Sequence, residues 1–291
     1  MLLEGKVALI TGAGSGIGRA LAVEAARRGI RLALAGCGVA ALERTASMLP
    51  PGAGWSIISA DVTDPYARRL LREHLAGEWG QLDILVNNAG LVLAGPLAAT
   101  ADRDIERVMA SNLIAPMALT RELLPLLVAT APSRVVNMGS LFGDIPYPLF
   151  ATYSAAKFGL RGFSAALRRE LRGLGVGVTY ATPHATLAET TEAIRAFVGP
   201  LGMALERPET TARKLWDAVA RGADSVYPMG CERLYVALER CWPKIIDRVV
   251  AGQLADGRLR SALLKAMPWV RPTPARHGVG EPAARRSVAN C

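Results

Sequence analysis

Thr11-Gly12-Ala13-Gly14-Ser15-Gly16-Ile17-Gly18 follows the strand-like run 6–11 and opens a helical pattern over 17–28, where Ile17, Leu21 and Ala25 share one face. A glycine-rich turn between strand and helix allows a tight reversal. It also brings the backbone close to a pyrophosphate and aims helix N–H groups at that anion. Gly12, Ser15, Gly16, Ile17 and Gly18 are therefore the first candidate dinucleotide contacts.

Outward from this unit the pattern repeats. Further strand-like runs lie at 31–35, 55–60, 82–87, 134–138, 177–181 and 225–228, each bounded by Gly, Pro, Asn or Asp. Helical spacing fills 64–79, 103–128, 153–174 and 209–221; the first has Asp64 as cap, Pro65 at the first helical position, and Leu71, Leu75 and Trp79 in one stripe. Strand alternating with helix predicts one parallel sheet of seven strands joined by right-handed crossovers. No linker divides the chain before Met229, so residues 1–229 read as one α/β domain, 230–270 as a helical extension, and the Pro-, Arg-, Ala- and Gly-rich 271–291 as a mobile tail.

Bulk properties agree with a length of 291 residues, which suits one large α/β core with appendages. The chain is 51% hydrophobic, yet no run reaches the ~20 uninterrupted apolar residues of a membrane span. The start, Met1-Leu2-Leu3-Glu4-Gly5-Lys6, has no export pattern, and a soluble cytoplasmic protein is expected. Cys37, Cys231, Cys241 and Cys291 are scattered and read as free thiols. His74, His184 and His277 are too dispersed for a metal site, so no metal is expected. Net charge is +9, but the arginines spread over helix faces, which favours a solvated surface over a nucleic-acid partner.

Tyr153-Ser154-Ala155-Ala156-Lys157 places Tyr153 and Lys157 four residues apart on one helix face. A phenol with a pKa near ~10 is a poor acid at neutral pH, and a neighbouring ammonium is expected to lower it.

With these motifs the sequence resembles the short-chain dehydrogenase/reductase family. The glycine spacing of Gly12, Gly16 and Gly18 matches, as do Asp61-Val62 after the third strand and Asn87-Asn88-Ala89-Gly90 after the fourth. The resemblance spans about residues 4–230. It implies a Rossmann-type doubly wound sheet with helices on both faces, and cofactor contacts from Asp61, Val62, Asn88, Ala89, Gly90, Tyr153, Lys157 and Pro183. It also implies a catalytic set of Asn112, Ser140, Tyr153 and Lys157, with Ser140 thirteen residues before Tyr153. Ser140 would hydrogen-bond the substrate oxygen, Tyr153 would exchange its proton, Lys157 would bind the nicotinamide ribose, and Asn112 would hold a relay water.

Two places depart from the family. The second strand ends in Gly36-Cys37-Gly38, lacking both the ribose-binding acid of NAD sites and the Arg of NADP sites; the small residues leave room for a 2′-phosphate, so the reading leans to NADP over NAD. After the sixth strand stands Pro183-His184-Ala185-Thr186-Leu187-Ala188; Ala188 replaces the usual nicotinamide-binding Thr, for which Thr186, Thr190 or Thr191 could substitute, and His184 is kept as a substrate-contact candidate.

The expected activity is reduction of a hydrophobic ketone or aldehyde, or oxidation of the alcohol. The alternative is a dinucleotide-binding sensor or scaffold without turnover. The variable substrate loop is placed at 189–205. Leu141, Phe142, Ile145, Tyr147, Leu149 and Phe150 line an apolar pocket or serve core or interface. The family resemblance predicts a homodimer or homotetramer through helices 103–128 and 153–174. In the extension, one helix over 232–251 carries a stripe of Leu234, Leu238, Cys241, Ile245 and Val249. The favoured expectation is packing on its own subunit or a partner. The other is peripheral membrane contact, through Arg233, Arg240, Lys244 and Arg248, with Arg258, Arg260, Lys265, Trp242 and Trp269.

Overall fold

The computed structural model describes residues 1–186, 205–227 and 232–255. Its main sheet uses β1 (Val7–Thr11), β2 (Arg31–Gly36), β3 (Trp55–Ser59), β4 (Ile84–Asn87), β5 (Ser133–Met138), β6 (Val176–Ala181) and β7 (Ser225–Val226). All seven are parallel, in the order β3-β2-β1-β4-β5-β6-β7. Strand order reverses between β1 and β4, and ligands bind open α/β sheets beyond the carboxyl ends at such a point.

Central strands are apolar on both faces because helices cover both. One layer packs Leu21 of α1 (Gly16–Arg27) and Trp216 of α7 (Pro208–Ala220) against Ile10 and Leu34; Trp216 Nε1 also donates to the Leu21 carbonyl at 3.0 Å. The opposite layer packs Leu71 of α3 (Pro65–His74), Leu123 and Leu127 of α5 (Ala115–Ala129) and Leu167 of α6 (Ala151–Glu170) against Leu9, Leu85 and Val135. Asp64 caps α3 as expected, accepting from the Tyr66 and Ala67 amides.

Besides the π-turn over Leu75–Trp79 that closes the helix expected over 64–79, four details depart from the sequence reading. A short helix α2 (Val39–Ala46) fills the β2–β3 connection; it was not anticipated, since Gly38 gives no side-chain cap and only Leu42, Thr45 and Ala46 are buried. The expected helix 103–128 is α4 (Asp102–Met109) and α5 joined by a π-turn over Ala110–Ile114. Ala185–Thr186 pairs in parallel with Leu205–Glu206 as a separate two-residue ladder.

The fourth is the extension. The single helix expected over 232–251 is two, α8 (Glu232–Cys241) and α9 (Pro243–Ala255), because Pro243 cannot donate a helical N–H and starts the second. The break rotates the apolar stripe. Val236 and Ile246 are buried with Leu238 and Val250 beside them, whereas Leu234 (60% exposed), Ile245, Val249 and Cys241 face outward. Arg240, assigned above to a lipid-facing set, turns inward to Asp144 at 2.8 Å. Packing on its own subunit is thus realised for this segment, while Tyr235 and Trp242 stay exposed. The boundary at 229, the helix expected at 259–267, the tail 271–291, loop residues 187–204, and Cys231 and Cys291 lie outside the described residues.

Candidate active site

The glycine turn takes the conformation its composition allows. Gly12 and Gly16 have φ of 65° and 51°, a region that disfavours side chains, and a Cβ on Gly18 would collide with the Gly12 carbonyl oxygen. Ser15 is the extended N-cap of α1 with no side-chain cap bond, so the first-turn N–H groups of Gly16, Ile17 and Gly18 face the space above the sheet. Such a cradle fits a pyrophosphate.

Asn88 fastens this turn to β4. Its Nδ2 donates to the carbonyls of Thr11 at 2.9 Å and Gly12 at 3.3 Å, while Thr11 Oγ1 accepts from the Asn88 and Ala89 amides at 3.0 Å each. Sequence reasoning found Asn88 but not Thr11, whose role exists only once β1 and β4 are neighbours. Asn87 works within the sheet, donating to Asn137 at 2.8 Å and Thr120 at 3.1 Å. Asp61 and Val62 follow β3; Asp61 is exposed and accepts from Thr63, and Val62 is buried.

Four expected catalytic residues converge at the other end of the cleft. Tyr153 and Lys157 project from the first turns of α6 and are both buried. Tyr153 is hydrogen-bonded to Ser140, which N-caps the short turn Leu141–Gly143 after β5. Lys157 Nζ donates to the Met138 carbonyl at 2.8 Å and lies 5.7 Å from the centroid of the Tyr153 ring. Asn112 sits in the π-turn, where the widened backbone re-aims its side chain; Nδ2 donates to Leu91 and Val108 carbonyls at 2.8 and 3.0 Å. Its Oδ1 is buried, has no hydrogen-bond partner among the described residues, and lies beside Gly90, which Lys157 Nζ also approaches.

The electrostatics correct one expectation. Burial pushes the Tyr153 phenol up from its usual range, with the Ser140 hydrogen bond pulling the other way, and burial pushes the Lys157 ammonium down to about 8. Lys157 was expected to lower the phenol. In this buried pocket desolvation dominates, and both groups shift towards neutrality.

Around Tyr153 the apolar residues divide. Phe150, Ile145 and Leu149 are buried, while Phe142 is half-buried, 4.7 Å from the Phe150 ring and edge-on to Tyr153 at 6.5 Å. Leu149 has φ of 72°, an uncommon conformation for a side-chain-bearing residue, which turns its carbonyl towards the Gly95 amide at 2.7 Å. Pro183 and His184 line a cleft at the end of β6 with Met138, Lys214, Glu206 and Tyr227. Glu206 is ion-paired with Lys214 and held below its usual range by hydrogen bonds from Lys214 and Thr211, against the opposing effect of burial. Thr186 is buried; Ala188, Thr190 and Thr191 lie outside the described residues. Sequence reasoning missed Tyr180, whose ring underlies Gly139 so closely that a Cβ there would collide with it, and Asp144, buried four residues after Ser140.

This geometry meets an independent match: residues 6–198 fit the family model for short chain dehydrogenases. The chain belongs to the short-chain dehydrogenase family. Among its relatives, SadH of Mycobacterium tuberculosis, named as an oxidoreductase, is 30% identical over 281 residues, 92% of this chain and 99% of that protein. A short-chain dehydrogenase/reductase from Burkholderia phymatum, solved with NAD, shares the fold with a TM-score of 0.76 at 23% identity, over 84% of this chain and 96% of its own. A metagenomic short-chain oxidoreductase solved with NADP has a TM-score of 0.67 at 28% identity, over 78% of this chain and 98% of its own. As a short-chain dehydrogenase, this chain is an oxidoreductase of a family that uses NAD or NADP.

Proposed function

We propose that this short-chain dehydrogenase reduces a ketone or aldehyde with an apolar body, or oxidises the corresponding secondary alcohol. The observation that carries the reading is the buried Tyr153 phenol hydrogen-bonded to half-buried Ser140, with Lys157 one helical turn on. When bound, the nicotinamide cofactor supplies the hydride. Gly12, Ser15, Gly16, Ile17 and Gly18 would hold its pyrophosphate, Asp61 and Val62 its adenine end, Asn88, Ala89 and Gly90 its middle, and Lys157 and Pro183 its nicotinamide end. Ser140 Oγ donates to the substrate oxygen as negative charge grows there, Tyr153 gives that oxygen its proton, and Lys157 carries the positive charge beside the phenol. Asn112 Oδ1, free to accept, suits a water that passes a proton to Lys157. Retention of Tyr153 and Lys157 in a dry pocket speaks for turnover rather than a sensor or scaffold.

NADP is the preferred cofactor in this reading. β2 ends in Gly36-Cys37-Gly38, so no acid repels a 2′-phosphate, and α2 begins at Gly38 without a side-chain cap. A panel of apolar ketones and aldehydes with NADPH and NADH, followed at the nicotinamide absorbance, should show turnover with a lower KM for NADPH. No oxidation of either cofactor across the panel would sink the reading.

The quaternary proposal is a homodimer or homotetramer through α5 and α6. The continuous helical run α4–π-turn–α5 (Asp102–Ala129) is long and apolar enough to cross a membrane, with mean hydropathy 1.3 over an 18-residue window, yet Leu119, Leu123 and Leu127 lie in the core. Outer-face Ile114 and Met117 are exposed, which a self-complementary interface would bury. Light scattering at micromolar concentration should report at least a dimer; monomer alone would refute this. The free Cys37 and Cys241 thiols fit a reducing, cytoplasmic setting.

A further inference from the structure

We propose that Asp144 and Arg240 form a latch that fastens the α8–α9 pair over the turn carrying Ser140, making the extension an apolar wall of the substrate pocket. Asp144 is a positioning residue and the extension a determinant of specificity; the specificity part rests on the functional reading above.

Asp144 closes the Ser140 turn, its amide donating to the Leu141 carbonyl at 3.0 Å, and its side chain is fully buried. A carboxylate taken out of water must be surrounded by donors. Here they come from four separate elements. Arg161, one turn beyond Lys157 on α6, lies 3.0 Å away; Thr182 Oγ1 at the end of β6 donates at 3.3 Å, Tyr227 OH after β7 at 3.1 Å, and Arg240 of α8 at 2.8 Å. Arg240 also donates to Tyr227 OH at 3.0 Å.

These partners differ in what they hold. Arg161, Thr182 and Tyr227 bind the acid to the catalytic core. Arg240 is its link to the extension. Next to the latch, Val236 and Ile246 pack on Ile145 with Leu238, Val250 and Leu141, the residue directly after Ser140. Among the described residues only three of this cluster are buried, so its apolar area is small, and without the charged pair α8–α9 would hold the turn weakly. The Ser140 turn thus carries Leu141 in the cluster with the extension and Phe142 in an aromatic pair with Phe150, and these apolar neighbours favour a substrate with a hydrophobic body.

The test uses the full chain with Arg240→Met, which leaves Asp144 paired with Arg161 and so preserves the fold. Hydrogen exchange should rise across 232–255 and stay unchanged in α6, and NADPH affinity should not move. With an apolar ketone, KM should rise about tenfold while kcat stays within about threefold, and Arg240→Lys should restore part of the loss. Asp144→Asn should raise exchange over the same 232–255 and, through the lost Arg161 pair, in α6 as well; should it not fold, Tyr227→Phe with Arg240→Met takes its place. Unchanged exchange in Arg240→Met overturns the latch, and raised exchange with unchanged KM overturns the specificity role. If no carbonyl is turned over by the wild-type chain, the functional reading fails, and the exchange measurement still decides the latch.

Discussion

Tyr153→Phe should lower carbonyl reduction by about a thousandfold while leaving NADPH affinity within about twofold, a loss typical of removing a positioned proton donor. The ring keeps its edge-on packing against Phe142, and Phe fits the same buried volume. What disappears is the hydroxyl that bonds Ser140. Ser140 is only half-buried and can rebond to water, so the folding cost is about 1 kcal/mol or less. Steady-state rates beside a cofactor titration separate the two quantities. A variant that turns over at the wild-type rate would remove Tyr153 from the chemistry.

Lys157→Met should have opposite effects on activity and stability. Turnover should fall at least about a hundredfold and NADPH binding should weaken, since one ammonium serves both the phenol and the cofactor ribose. The cofactor-free fold should become more stable at pH 7. Burial lowers the Lys157 pKa from 10.5 to about 8, so between those values the unfolded chain binds more protons than the folded one. Wild-type stability therefore rises with pH across that window, and the penalty is fully present below about 8. The shift corresponds to roughly 3 kcal/mol. Urea denaturation should show Lys157→Met ahead by up to that amount at pH 7 and the gap closing towards pH 10.5. A gap independent of pH would mean that Lys157 is charged without strain in the folded chain. The same titration makes kcat/KM for reduction fall as pH rises through about 8.

Much of this was legible in the chain itself. The glycine turn, the seven alternating strands and the Tyr153–Lys157 spacing are local patterns whose period or backbone requirement is written in consecutive residues, and each stands where it was expected. Asn112 was found by resemblance, but the π-turn that aims it was not, because a single widened turn leaves the apolar periodicity of 103–128 almost unchanged. The direction of the Tyr153 shift was misjudged for a different reason. Spacing shows that an ammonium is near, whereas the size of the desolvation effect depends on how completely the folded chain excludes water.

The sequence by itself determined the parallel α/β sheet, the cofactor turn and the residue types of the catalytic cluster, since all follow from short-range periodicity, glycine and side-chain chemistry. Only the tertiary structure decided that Pro243 splits the extension and that Arg240 reaches Asp144, 96 residues away. That ion pair leaves no local signature, because a buried acid finds its partners through strand order and helix packing rather than through spacing along the chain.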